Sequence, residues 1–314
     1  MSAAARRVEK IKAQVARLVG ADVEVVNNAD WLTKINLIEF LRDIGKHFTV
    51  NALVKKEIMA ERLEKEIPLS YTEFAYPLLQ AYDYLYLHNT KGVDLQVGGS
   101  DQWTNITAGV ELIGKRTGHT AHAITTPLII DKTTGKKFGK SEGNAVWLDP
   151  QKTSPFSFYQ FWLNVDDANI RDYLPKYTML GMDEIDSLMK EHESHPGERT
   201  AQRALAGAVT EMIHGRAQTD AAIRVSEVLF GDGDLSTLSE VERDGLKISA
   251  PTAPAKVGDA LVDVLLAAAL ASSKREARDF IAGNAVVLGK NKVNDPVYAL
   301  TDADFQDGLA LLRR

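Results

Sequence analysis

The chain contains no cysteine. That excludes disulfides, thiol nucleophiles and thiolate metal sites, and it suits a reducing compartment, so a cytoplasmic location is expected. No apolar run approaches the roughly 18 residues that a membrane-spanning helix requires, so no membrane partner is expected. The opening residues, Met1-Ser2-Ala3-Ala4-Ala5-Arg6-Arg7, lead into mixed-charge sequence without the apolar core of a signal peptide. A basic excess is missing as well: 37 Lys and Arg stand against 43 Asp and Glu, a net charge of −6. Any contact with nucleic acid must therefore rest on a local patch, not on the field of the whole molecule.

What is present is an ordinary globular composition, 45% apolar and 25% charged, over 314 residues, enough for two or three domains. Residues 1–150 mix helical patterns (8–18, 37–44, 52–65 and 72–87) with strand-like runs (23–26, 95–97 and 123–130), which implies an α/β layer fold. Three strands make a small sheet for that many helices. Residues 151–247 are helical throughout, with apolar periodicity over 166–177, 183–193, 197–213 and 219–230. Residues 248–257, with Pro251 and Pro254, form a linker. Residues 258–314 form a small α+β module: helices over 259–270 and 273–282, then strands over 285–288 and 293–298.

Three constellations carry chemistry. In Tyr76-Pro77-Leu78-Leu79-Gln80-Ala81-Tyr82-Asp83, residues Tyr76, Gln80 and Asp83 are spaced i, i+4 and i+7 and share one helix face. The other faces are apolar, so the helix is expected to be surrounded. The stripe either faces solvent or is hydrogen-bonded to protein or ligand, because burying it unpaired is costly. In Leu95-Gln96-Val97-Gly98-Gly99-Ser100-Asp101-Gln102-Trp103, a strand ends in two glycines ahead of a helix start. Such a loop either lets a ligand approach the backbone, with Asp101 accepting from ribose hydroxyls, or is an ordinary turn and cap. Thr133-Thr134-Gly135-Lys136-Lys137-Phe138-Gly139-Lys140-Ser141 follows a strand with three lysines and two glycines. It is either a solvated basic turn or a loop that closes over a polyphosphate and stabilises its departing charge.

The three occur in the order amino-acid pocket, ribose loop and lysine loop. Together they resemble the class I aminoacyl-tRNA synthetases, and among these the bacterial tyrosyl enzymes. The family motifs Y-x-x-x-Q-A-x-D, G-G-S-D-Q and K-F-G-K-[S/T] stand here as Tyr76 to Asp83, Gly98 to Gln102 and Lys137 to Ser141. The likeness continues through Lys152-Thr153-Ser154-Pro155-Phe156 and Phe161-Trp162 into the last domain. The related tryptophanyl enzymes share the lysine loop but lack the Gln-Ala-x-Asp helix.

The resemblance implies the second half of a class I Rossmann-like catalytic domain over residues 1–150, an all-helical domain for the tRNA anticodon region over 151–247, and an α+β RNA-binding module over 258–314. It assigns Asp83 to the phenolic hydroxyl of tyrosine, Tyr76 and Gln80 to its α-amino group, and Gln96 to the pocket wall. Gly98, Gly99 and Asp101 would contact the ATP ribose and Gln102 would lie near the reacting carboxylate. Lys137, Lys140 and Ser141 would stabilise departing pyrophosphate, with Lys140 also binding ATP. Lys274, Arg275, Arg278, Arg313 and Arg314 would contact RNA, although residues 251–314 hold eight basic and eight acidic side chains. ATP with Mg²⁺ is expected as a substrate complex, with no resident metal or prosthetic group. The expected partners are L-tyrosine, tRNA(Tyr) and a second copy of the chain, but not DNA.

Complete members of the family also carry an H-I-G-H-like motif at a helix start. None of the seven histidines here stands in an H-x-G-H context. The chain is therefore expected to begin inside the catalytic domain, without its first half, and on its own to keep RNA-binding and dimerising surfaces but not catalysis. Losing the orientation of a triphosphate forfeits several of the roughly 7–11 kcal/mol that positioning supplies. Purified residues 1–314 are expected to show no tyrosine-dependent ATP–pyrophosphate exchange. Exchange matching that of a version extended upstream would overturn this expectation.

Overall fold

Helix α1 (Ala3–Val19) opens the described part of the chain, which in this computed structural model comprises residues 3–20, 22–136, 146–231 and 233–314. Two units divide it: residues 23–142 form one, and residues 1–22 with 143–314 the other.

The unit of residues 23–142 begins with four short helices, α2 (Ala29–Leu32), α3 (Leu37–Asp43), α4 (Val50–Val54) and α5 (Glu57–Glu64). The long α6 (Tyr71–Lys91) leads to β1 (Leu95–Gly99), α7 (Trp103–Thr117) and β2 (His122–Thr126). The two strands pair in parallel, from Leu95 opposite His122 to Gly99 opposite Thr126, with α7 as the crossover. No strand forms over 23–26, so the described sheet has two strands and not three. Val23 and Val26 are exposed there, and Asn27 instead accepts from the Ala29 amide to start the turn into α2. The helix expected over 52–65 breaks at Lys56, whose backbone is extended. The strand expected over 123–130 ends at Thr126, because Pro127 has no N–H to give a ladder.

Helix α6 is specified at both ends. Ser70 and Glu73 form a reciprocal capping box, and the chain leaves through Gly92 in the left-handed conformation (φ 68°). The Arg62 guanidinium, with the Ser70 hydroxyl and amide, holds the Glu73 carboxyl down at about 2. The helix is not surrounded, as its apolar composition led one to expect. One face is core: Ala81, Tyr84 and Leu85 pack with Ile106, Leu112 and Ile113 of α7, together with Phe40 and Ile44. Leu78, Leu79 and Tyr82 are only half-buried, and Tyr76 is 55% exposed.

The α6–α7 contact is close because of Gly109. A Cβ there would lie 2.7 Å from Tyr84 Cδ1 and 3.0 Å from Tyr84 Cβ. Tyr84 is fully buried, and its hydroxyl donates to the His122 carbonyl at 2.8 Å, which ties α6 to β2.

The other unit stacks α8 (Pro155–Leu163), α9 (Asp167–Tyr177), α10 (Met182–Ser194), α11 (Thr200–His214), α12 (Arg216–Phe230) and α13 (Glu240–Ser249). Trp162, Tyr173 and Tyr177 form an aromatic cluster between α8 and α9, with Trp162 and Tyr177 centroids 4.7 Å apart. Beyond an extended stretch lie α14 (Leu261–Ala267), α15 (Lys274–Ala282) and the antiparallel strands β3 (Val286–Leu288), β4 (Asn291–Val293) and β5 (Leu312–Arg313), in the order β4-β3-β5. The strand expected over 293–298 is thus displaced to 291–293. Leu288 pairs with Asn291 across a two-residue turn that needs Gly289 in the left-handed region (φ 61°).

Gly109→Ala is expected to destabilise the protein by about 1–2 kcal/mol, because overpacking against Tyr84 outweighs the helix propensity that alanine gains. Urea unfolding measures this, and unchanged or increased stability would show that Tyr84 can give way.

Candidate functional site

The polar face of α6 is anchored at its inner end. Asp83 accepts from the Trp31 indole N–H at 2.6 Å through Oδ1 and from the Asn28 side-chain amide at 3.0 Å through Oδ2. Trp31 is buried on the short α2 and stacks on Tyr86 of α6, with centroids 4.5 Å apart and planes 14° from parallel. Two donors from one short turn therefore fix the orientation of the carboxylate and leave lone pairs for a further donor. Gln80 is half-buried one turn earlier, and Tyr76 is exposed two turns earlier. The stripe is thus graded from a clamped carboxylate to a solvated phenol.

The sequence reading missed Asn28 and Trp31. The signal was available: an Asn-Asn pair starting a helical turn places an indole donor three residues after the second asparagine. No local rule, however, points that donor at a residue 52 positions away.

At the end of β1 the two glycines meet the protein's own atoms. A Cβ on Gly98 would lie 3.1 Å from both Gln102 Cβ and Ile106 Cδ1, so this side of the strand lies close against α7. A Cβ on Gly99 would come within 2.7 Å of Asp101 Oδ1. The glycines therefore have a packing reason in addition to any ligand that approaches. Asp101 is exposed. Gln102 donates to it at 3.3 Å and accepts from the Asn105 side chain at 3.3 Å. Gln96 is half-buried on the strand, and its Oε1 is buried with no partner among the described residues. An acceptor in that state is a ready position for a ligand donor.

Lys137, Lys140 and Ser141 lie outside the described residues. The turn that precedes them is built around Asp131, whose side chain accepts from the amides of Thr133 and Thr134 at 2.8 and 3.2 Å. Gly135 closes it in the left-handed region (φ 68°), its amide donating to the Asp131 carbonyl. Tyr76, Gln80, Asp83, Gln96, Gly98, Gly99, Asp101 and Gln102 all fall in the unit of residues 23–142.

The basic residues of the last module divide into two kinds. Lys274, Arg275 and Arg278 are exposed on α15, with Lys274 paired to Asp263 at 2.6 Å. Arg314 is exposed, donates to the Leu270 carbonyl at 2.8 Å and lies over the Phe280 ring. Arg313 is half-buried and donates to the carbonyls of Gly231 and Gly289. Among the described residues no group of three or more His, Asp or Glu side chains is placed to hold a metal ion, and no helix is long and apolar enough to cross a membrane.

Residues 1–231 match the family of class I tRNA synthetases (W and Y), and residues 245–314 match the tyrosine–tRNA ligase SYY-like C-terminal domain. The tyrosine–tRNA ligase of Lactococcus lactis subsp. cremoris (strain SK11) is 44% identical over 313 residues, covering 97% of this chain and 74% of the relative. Tyrosine–tRNA ligase 2 of Enterococcus faecalis (strain ATCC 700802 / V583) is 44% identical over 315 residues, 98% of this chain and 74% of that protein. Among solved structures, a C-terminally truncated mitochondrial tyrosyl-tRNA synthetase of Coccidioides posadasii superposes with a TM-score of 0.56 at 30% identity, over 71% of this chain and 68% of that one. The corresponding enzyme of Aspergillus nidulans gives a TM-score of 0.56 at 33% identity, over 69% and 64%.

Proposed function

The chain belongs to the class I tRNA synthetases and, within them, to the tyrosine–tRNA ligases, and we propose that it serves the two-step attachment of tyrosine to the 3′ end of tRNA(Tyr). In the first step the tyrosine carboxylate attacks the α-phosphorus of ATP and pyrophosphate leaves. In the second the tyrosyl group passes to the tRNA. No protein nucleophile is required, so the chain contributes positioning and charge.

The observation that carries this reading is the clamped carboxylate of Asp83, held by Trp31 and Asn28 on the polar face of α6. A tyrosine phenol donates to its remaining lone pairs. Phenylalanine fills the same space and donates nothing, which leaves a desolvated acceptor short of a partner. The tyrosyl enzymes are themselves the familiar instance of this discrimination. Gln80 and Tyr76 take the α-ammonium group, and the unpartnered Oε1 of Gln96 accepts from the bound amino acid or its adenylate. Asp101, beside Gly98 and Gly99, accepts from ribose hydroxyls, with Gln102 next to the reacting carboxylate. Lys137, Lys140 and Ser141 meet the pyrophosphate as its charge develops, and Mg²⁺ enters with ATP as part of the substrate.

The division of labour along the chain is proposed as catalysis in residues 1–150, the tRNA anticodon region in 151–247, and further RNA contact in 258–314. The exposed Lys274, Arg275 and Arg278 of α15, with Arg314, supply phosphate contacts in a module that is neutral overall. Arg313 holds β5, which leads into Arg314, through its two carbonyl contacts. A cytoplasmic location fits this role in translation.

In a version extended to the length of the Lactococcus relative, Asp83→Ala is expected to lower kcat/KM for tyrosine about ten- to a hundredfold, the scale of a lost hydrogen bond to a charged group. Trp31→Phe should produce a smaller loss of the same kind, and Glu73→Ala, at the helix start, almost none. Lys140→Ala should lower the adenylation rate constant with little change in tyrosine KM. Equal losses for Asp83→Ala and Glu73→Ala would sink the assignment of the pocket.

A symmetric homodimer completes the proposal. Leu37, Ile38, Leu41, Val50 and Tyr71 are exposed apolar side chains in the unit that carries the site, an arrangement suited to an isologous contact. Light scattering at micromolar concentration should report twice the mass of the chain, and a strictly monomeric mass would refute it.

A further inference from the structure

Within the unit of residues 1–22 and 143–314, the C-terminal region encloses a second feature, unrelated to tyrosine or ATP. Between the apolar cluster that includes Val228, Leu235 and Leu246 and the one built on Leu261, Leu265 and Ile281 lies a cavity of about 640 Å³. That volume is within the range of small-molecule sites. Its walls come from the ends of α8 and α12, from α13, from residues 250–255, from α14 and from residues 308–313. Among the described residues on this wall, Arg313 is the only ionisable side chain and Thr252 the only one with a hydroxyl. A surface with so few polar groups gives little hold to water and favours hydrocarbon.

Arg313 is the exception that selects the ligand. Its two Nη atoms donate to the Gly231 and Gly289 carbonyls at 2.7 and 2.9 Å. Its Nε is buried with no acceptor, and it takes part in no ion pair among the described residues. A half-buried guanidinium held only by neutral carbonyls keeps an uncompensated charge, and an anion relieves it. The same wall disfavours sugars and nucleotides, whose many donors and acceptors would find almost no partners.

We infer that this cavity binds an amphiphilic monocarboxylate, with its hydrocarbon body against Leu246, Leu261 and Val264 and its carboxylate directed to Arg313. Leu246, Leu261 and Val264 have no role in the ligase reading, and Arg313, which the resemblance counts among the RNA contacts, is turned inward against two backbone carbonyls, so the inference does not depend on that reading.

The probe is dodecanoate below its micellar concentration, titrated calorimetrically into the 314-residue chain, with dodecanol as the uncharged control. One molecule per chain is expected, with dodecanoate bound about tenfold more tightly than dodecanol, the scale of one charge-assisted hydrogen bond. The melting temperature should rise with dodecanoate concentration, as linkage requires. Arg313→Gln should remove the preference for the carboxylate while dodecanol binding persists, and Val264→Phe, which fills the cavity, should abolish both. If either variant fails to fold, the comparison of acid with alcohol on the unmodified chain still decides. Absence of binding, equal affinity for acid and alcohol, or undiminished binding by folded Val264→Phe would each overturn the inference.

Discussion

The close approach of α6 and α7 is the constraint on which the rest of the first unit depends. These helices pack tightly because Gly109 leaves no side chain between them, and Tyr84 occupies that space with its ring while its hydroxyl reaches the backbone of β2. One tyrosine thus fixes the long helix both to the crossover helix and to the sheet. The consequence for chemistry is direct. Asp83 lies on α6 beside Tyr84, and Gly98, Gly99 and Asp101 lie on β1 and the turn that leads into α7, so one half of the proposed site is carried by a member of this packed pair and the other is joined directly to its partner.

The clamp on Asp83 illustrates how a polar group is kept serviceable beside a core. A carboxylate with no donors would be costly at a half-buried position, and one with all its lone pairs filled would have nothing to offer a substrate. An indole and an amide satisfy part of its capacity and set its direction. Trp31 in turn is oriented by its stack on Tyr86, one turn further along the same helix, so the clamp and the clamped residue share a support. Gln96 presents the complementary situation, an acceptor buried without a partner among the described residues, on the strand that faces α7. The two together describe a site in which some polar capacity is structural and some is reserved.

The C-terminal region follows a different logic. Its charges balance, so its electrostatics depend on where each side chain points. The structure separates Lys274, Arg275 and Arg278, exposed on one helix, from Arg313, drawn in against backbone carbonyls beside an apolar cavity. Adjacent residues Arg313 and Arg314 consequently occupy different environments, one half-buried at the end of β5 and one exposed just beyond it.

Much of this was legible in the sequence, and for identifiable reasons. The i, i+4, i+7 spacing is enough to align Tyr76, Gln80 and Asp83 on one face, because helical geometry is local. The Gly-Gly-Ser-Asp run marks a strand end, and the lysine motif, with the other two, points to the family. The helical middle of the chain follows from its apolar periodicity and from the Gly and Pro residues between its segments. What the sequence left open depended on partners distant along the chain. The run at 23–26 has the residues of a strand but finds no neighbour to pair with. The α6 helix has apolar residues on several faces, yet packing buries only the face that meets α7. The donors to Asp83 lie more than fifty residues upstream. Local periodicity decides which residues share a face, but only the packed chain decides which of those faces is covered and which polar atoms there have found a partner.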